Sequence, residues 1–162
     1  PCIVGADFCH PMLELARNKF RDRGFPLRLV GAEALALPFP AGAFHLVATA
    51  FGFRNLADYH AGLREMLRVL APGGEVALLE FSEPDSRLFG SLYRFYLQRL
   101  LPYIGGAVSG DRNAYRYLGS SVADFPSPEG LAQWMQQVGF TDVRFEKFTG
   151  GIACLHTGAR PE

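Results

Sequence analysis

Short apolar runs alternate along the chain with stretches in which apolar residues recur every three or four positions. Ile3-Val4-Gly5-Ala6 closes on Asp7, and Met12, Leu13, Ala16 and Phe20 follow at helical spacing behind Pro11, a residue suited to a first turn. The pattern predicts a strand and then a helix ended by Gly24. Leu27-Arg28-Leu29-Val30 reads as a second strand, and small residues from Gly31 to Ala36 lead into Leu37-Pro38-Phe39-Pro40. Leu46-Val47-Ala48-Thr49-Ala50 lacks any polar alternation, which predicts a strand buried on both faces of a parallel sheet. Asp58 is placed to cap a helix carrying Leu63, Met66, Leu67 and Leu70, and Pro72-Gly73-Gly74 should stop it ahead of a strand from Val76 to Phe81.

Strands and helices joined by short connections predict a doubly wound α/β sheet with parallel strands. The rhythm then changes. From Leu88 to Leu118 the chain is rich in Tyr, Phe, Leu and Arg and reads as one long helix, a loop around Pro102 to Gly110, and a short helix. Ser127-Pro128 should cap a further helix running to Gly139. Two strands, about Val143 to Phe148 and Ile152 to Gly158, flank Thr149-Gly150-Gly151, a hairpin signal that sets the last strand antiparallel to the one before it. No repeat or linker interrupts residues 1–162, which read as a single domain.

Composition narrows the class. With 162 residues, 49% hydrophobic and 20% charged, the chain is a compact globular domain rather than a disordered one. Sixteen basic residues balance 16 acidic ones, which provides no footprint for a nucleic-acid backbone. Cys2, Cys9 and Cys154 are odd in number and lack Cys-x-x-Cys spacing, so a reducing cytoplasm fits better than a disulfide framework. No apolar run approaches the ~20 residues that span a bilayer. Pro1-Cys2-Ile3-Val4 has no charged leader and opens directly on a strand, as though entering a fold already under way.

In an open α/β sheet, ligands gather at the carboxyl ends of the strands. Asp7 stands at one such end, where a carboxylate accepts hydrogen bonds from the vicinal hydroxyls of a ribose; a helix cap for the segment at Pro11 is an equal alternative. Glu33 lies in a turn of small residues and could read an adenine, or could be a solvated surface glutamate. Phe51-Gly52-Phe53-Arg54-Asn55 could stack a planar ligand while Arg54 and Asn55 orient its oxygens, or could send its phenylalanines into the core. Glu80-Phe81-Ser82 forms a further strand end. His10, His45, His60 and His156 lack metal-ligand spacing, and neither a nucleophile elbow nor a P-loop is present.

Taken together, these segments resemble the ubiquinone/menaquinone biosynthesis C-methyltransferases, S-adenosylmethionine-dependent enzymes of the Rossmann-like class. The resemblance rests on Gly5-Ala6-Asp7-Phe8 with Pro11-Met12-Leu13, on Ala34 to Pro40, and on the aromatic-Gly-aromatic-Arg-Asn loop at 51–55. It continues through Arg64 to Leu70 with Pro72-Gly73-Gly74, Glu80-Phe81-Ser82 with Pro84, and Leu101-Pro102 with Gly105. Tyr115 with Tyr117-Leu118 and Ser121, and Thr149-Gly150-Gly151 with His156, complete it across essentially the whole chain.

The resemblance implies S-adenosyl-L-methionine as methyl donor, with Asp7 at its ribose, Glu33 and Ala34 at its adenine, and Ala50 beside it at a strand exit. It implies C-methylation of a polyprenylated quinol, demethylmenaquinol to menaquinol, with Arg54 and Asn55 as catalytic residues and Phe51, Phe53, Glu80 and Tyr115 lining the substrate side. The base would be a water or a carboxylate such as Glu80 or Asp111. Glu33 where the family usually has Asp or Asn, and Phe44-His45 where it has Phe-Asp, are departures. The family's first strand and glycine-rich loop, which lies between the strand ending at Asp7 and that ending at Ala50, have no counterpart here, so an N-terminally truncated sequence is expected. Residues 88–121 would form a substrate-side lid, either an ordinary packed helix or one that meets a membrane surface at the inner face. A homodimer is compatible with this reading. A methyltransferase of another small molecule, or a silent assembly subunit, are the rival readings.

Overall fold

A computed structural model describes residues 2–21, 26–84, 86–109 and 112–162. Strand β1 (Ile3–Asp7) pairs in parallel with β2 (Leu27–Gly31), and helix α1 (His10–Phe20) connects them with Pro11 in its first turn. Gly24, the expected helix stop, lies outside the described residues.

The second sheet runs in the order β3 (Phe44–Ala50), β4 (Leu70–Phe81), β6 (Ala153–Ala159), β5 (Thr141–Phe148). Strand β3 is parallel to β4, whereas β6 is antiparallel to both β4 and β5. The C-terminal hairpin is therefore present as expected, and its last strand inserts beside β4. The whole is a mixed α/β sheet architecture of the Rossmann-like kind.

Helix α2 (Tyr59–Val69) begins where Asp58 accepts a 2.9 Å hydrogen bond from the Ala61 amide. Pro72-Gly73-Gly74 does not separate helix from strand as expected. β4 starts at Leu70 itself, directly after the helix, and absorbs the three residues as an irregularity in its pairing with β3, with Gly73 at φ 69°. Helix α6 (Pro128–Val138) starts at Ser127, whose hydroxyl accepts from the Gly130 amide, and ends at Gly139 in the left-handed region.

Helices α2 and α6 pack Leu63, Met66, Leu131 and Met135 onto Leu70, Val76 and Leu78 of β4, with Phe53 and Phe140 in the same core. Each such fully buried side chain contributes roughly 1.5–3 kcal/mol. β3 does not share that burial on both faces: Leu46 is 59% exposed, and among the described residues β3 pairs only with β4. Its other side opens on a groove of about 210 Å³ lined by Val4 and Ala6 of β1 and by Leu46 and Ala48. Among the described residues the two sheets share no ladder.

The segment from Leu88 differs from expectation at Pro102. Helix α3 (Arg87–Phe95) continues through a π-helical turn (Tyr96–Leu100) into α4 (Leu101–Ser109), so no loop opens there. The π-helical turn just before Pro102 already interrupts the regular ladder, so the missing proline amide does not break the helix. Helix α5 (Arg112–Ala123) returns along it. Tyr93, Leu97 and Val122 form a second small core against Phe81 and Ile152, beside the carboxyl end of β4.

Candidate functional site

The carboxyl ends of β1, β2 and β3 converge on a cavity of about 420 Å³. Asp7 and Phe8 line it from the end of β1, Glu33, Ala34 and Leu35 from the turn after β2, and Thr49, Gly52, Phe53 and Asn55 from the end of β3. Three of the four residues expected at a cofactor, Asp7, Glu33 and Ala34, are thus gathered around one space. The fourth, Ala50, is not on its wall: strand alternation turns Thr49 inward instead.

Asp7 is not the side-chain cap of α1. One of its oxygens, Oδ1, accepts a 2.8 Å hydrogen bond from the Cys9 amide, and the helix itself begins at Cys9 with no side-chain cap. The local bond fixes the carboxylate at the strand end and leaves Oδ2 without a hydrogen bond among the described residues. Glu33 makes a tight turn, accepting from Leu35 N through its side chain and from Ala36 N through its carbonyl. The approach to this turn is pinned from α2. Glu65 accepts from the Leu37 amide at 2.7 Å, and Arg68, paired with Glu65, donates to the Leu37 and Phe39 carbonyls. The Arg68 guanidinium beside Glu65 holds that carboxyl below its ordinary value.

The loop after β3 carries the remaining chemistry. Phe51 adopts φ 56°, a left-handed conformation that is rare for an aromatic residue, with its amide bonded to the Leu79 carbonyl and its ring 4.5 Å from that of Phe81. Backbone strain held by such contacts is a frequent companion of functional sites. Phe53 turns into the core and forms part of the cavity floor, so it serves packing first. A single 3-10 turn (Phe53–Asn55) then presents Arg54 and Asn55.

Arg54 is held from two sides. Glu80, buried at the end of β4, accepts from the Arg54 amide at 3.1 Å through Oε1 and from Nη1 at 3.0 Å through Oε2. Nη1 also donates to the Phe51 carbonyl, and the guanidinium lies 5.3 Å from the Phe81 ring. From the other side, Nε donates to Ser121 Oγ of α5 at 3.4 Å. Nη2 alone remains without a hydrogen bond among the described residues. Asn55, one of the residues lining the cavity, accepts at Oδ1 from the Tyr117 hydroxyl at 2.9 Å, again from α5, which leaves its Nδ2 without a hydrogen bond among the described residues.

Glu80 therefore faces Arg54, with only 1% of its surface exposed, and is occupied where a base or a substrate contact would need a free oxygen. Tyr115 packs its ring against Gly105 of α4, away from the cavity wall. Asp111 lies outside the described residues. Thr49, Tyr117 and Ser121 were not singled out as site residues from sequence. The spacing of Tyr117 and Ser121, four apart on one helix, was the available signal that they share a face.

Residues 2–160 match the sequence pattern of the ubiE/COQ5 methyltransferase family. The chain belongs to that family. Its sequence is 54% identical over 159 residues to a demethylmenaquinone methyltransferase of Thermus thermophilus, covering 98% of this chain and 72% of that protein. It is 51% identical over 156 residues to a demethylmenaquinone methyltransferase of Deinococcus radiodurans, covering 96% of this chain and 64% of the relative. The chain thus spans 72% and 64% of the length of these two relatives, less than two thirds in the second case. Among solved structures, phosphoethanolamine N-methyltransferase 2 of Haemonchus contortus, bound to phosphomonomethylethanolamine and S-adenosylhomocysteine, superposes with a TM-score of 0.68 at 13% identity, over 98% of this chain and 44% of that one. The fold of this ubiE/COQ5 member is accordingly that of the methyltransferases.

Proposed function

We propose that the protein transfers a methyl group from S-adenosylmethionine to a ring carbon of a polyprenylated quinol, converting demethylmenaquinol to menaquinol. The observation that carries this reading is the junction of Asp7, Glu33 and Ala34 with Asn55 around one cavity, in a chain of this family. An adenosine-bearing ligand fits the donor set. Asp7 has one carboxylate oxygen fixed by Cys9 and the other open to vicinal hydroxyls, and the turn at Glu33 and Ala34 offers an acceptor and backbone groups to an adenine edge. When bound, S-adenosylmethionine supplies an electrophilic sulfonium methyl.

The chain's own residues must then orient the quinol and stabilise its electron-rich, phenolate-like form. Arg54 Nη2 and Asn55 Nδ2 are the two donors left open at the loop, and both suit a developing phenolate oxygen. Arg54 cannot surrender a proton, and the Glu80 carboxylate is enclosed by its contacts with Arg54. With Glu80 enclosed and Asp111 outside the described residues, the quinol proton is assigned to water. Helices α3 to α5 form the lid over the substrate side, with Phe51 and Phe81 as the aromatic wall beneath it.

The lid exposes an apolar stripe, Leu88, Leu92, Phe95 and Tyr103, spaced to lie along one face and bordered by Arg94 and Arg99. No described helix is long and apolar enough to cross a membrane. A stripe of this kind suits an enzyme that takes a prenylated substrate from a bilayer surface, as a peripheral protein on its cytoplasmic face. The activity is tested by incubating the full-length protein with labelled S-adenosylmethionine and demethylmenaquinol. Labelled menaquinol is the expected product; methylation of other small acceptors but not of this quinol would overturn the assignment.

A further inference from the structure

Arg54 and Asn55 are consecutive residues on one 3-10 turn, and each is bonded to a residue of α5. Ser121 and Tyr117 are four residues apart, so they present their hydroxyls on one face of that helix. The turn is fixed to the sheet by Glu80 and to the lid by this pair of hydroxyls. The two attachments differ in kind. Glu80 belongs to β4, whose backbone is locked into a ladder on both sides. Helix α5 belongs to the lid, and its position is set by its packing on the π-helical turn and α4.

That packing is close. A Cβ placed on Gly119 would come 3.0 Å from the Leu97 carbonyl oxygen in the π-helical turn, and one on Gly105 would come 2.5 Å from the Tyr115 ring. Helix α5 is thus keyed to its neighbours at two glycines, and its face with Tyr117 and Ser121 is delivered to the loop as a unit. Tyr117 is more than half exposed, so burial does not account for where its hydroxyl lies. By donating to Asn55 Oδ1, Tyr117 fixes the orientation of the amide and leaves Nδ2 as its open donor. Ser121 accepts from Arg54 Nε and donates to the Leu118 carbonyl, so its hydroxyl is oriented by the helix that carries it.

We infer that Tyr117 and Ser121 are positioning residues, which aim the open donors of Asn55 and Arg54 at the acceptor's oxygen and make their alignment depend on the seating of the lid. This rests on the reading of Arg54 and Asn55 as the acceptor-facing pair given above. Neither hydroxyl touches the cavity that receives the methyl donor. Their loss should therefore appear in turnover and leave donor binding intact.

The test uses the full-length protein with Tyr117→Phe, Ser121→Ala and the double variant, measuring kcat and KM for the quinol, and the Kd for S-adenosylmethionine by calorimetry. Each single variant should lower kcat about tenfold, a magnitude typical of a small misplacement of reacting groups. The donor's Kd should stay within about twofold, and Ser121→Thr, which keeps the hydroxyl, should recover most of the lost turnover. A kcat within about twofold of the parent for both single variants would overturn the inference, as would a kcat loss matched by an equal loss of donor affinity. Arg54→Lys and Asn55→Ala separate the two levels. If they leave turnover intact, the role of the loop itself fails. If they abolish it while Tyr117→Phe and Ser121→Ala do not, only the positioning role of α5 fails.

Discussion

His156 shows how one side chain couples the fold to pH. It is buried in β6, its Nε2 donates to the Pro128 carbonyl at 2.9 Å, and its Nδ1 has no hydrogen-bond partner among the described residues. Burial therefore pushes its pKa below the ordinary value of 6.5, an effect that the Pro128 bond opposes only in part. A histidine that is neutral when folded binds its proton more readily when unfolded. Its contribution is thus fully present above about pH 6.5 and is lost progressively as the pH falls toward the lowered native value. Urea unfolding across pH 5 to 8 should show this acid-side loss, and His156→Phe should flatten that part of the profile; an unchanged slope would contradict the assignment. The sequence showed His156 lacking metal-ligand neighbours but could not show its burial, which arises from the antiparallel seat of β6 between β4 and β5. Asp7 and Glu33 were more legible, because a strand end and a turn of small residues place a carboxylate predictably. The enclosure of Glu80 by Arg54 was not, since it joins residues 26 positions apart.

At the scale of elements, the capped helices were the most readable. Asp58, Ser127 and Gly139 mark their own boundaries through local hydrogen bonds and a left-handed turn. Pro102 reads as a loop because a proline in a loop and a proline accommodated inside a helix carry the same local signal, and the π-helical turn that accommodates it packs against α5. Pro72-Gly73-Gly74 reads as a stop for a related reason: the three residues bulge between paired positions Leu70 and Glu75, and backbone bonds of Gly73 and Gly74 to Arg160 hold the strand's course through them. The closeness of α5 to the π-helical turn gives an element-scale prediction. Gly119→Ala should push α5 off the Leu97 carbonyl and lower kcat by about tenfold or more, with S-adenosylmethionine affinity little changed. Unaltered turnover in this variant would mean that the seating of α5 does not matter to the loop.

Across the whole molecule, the separation of the sheets matters most. The apolar run of β3 led to an expectation of burial on both faces, yet β3 borders the groove facing β1. Residue patterns report what a strand is suited to pack against and not which neighbours it has. The cavity proposed for the methyl donor spans that same junction, with Asp7 and Glu33 from one sheet and Thr49 and Asn55 from the other. Helix α3, in the segment proposed as a lid, carries the exposed stripe of Leu88, Leu92 and Phe95. Flotation of the full-length protein with anionic vesicles should show binding that falls when Leu88, Leu92 and Phe95 are changed together to Ser; binding that is unaffected would remove the membrane role.

We propose that the junction of the two sheets holds S-adenosylmethionine through Asp7. Calorimetric titration of the full-length protein with S-adenosylmethionine, beside its Asp7→Ala variant, tests it most directly. One bound molecule per chain and a loss of affinity of about tenfold or more in the variant are expected, the value of a charge-assisted pair of hydrogen bonds. Equal affinity in the two proteins, or no binding in either, would contradict the account.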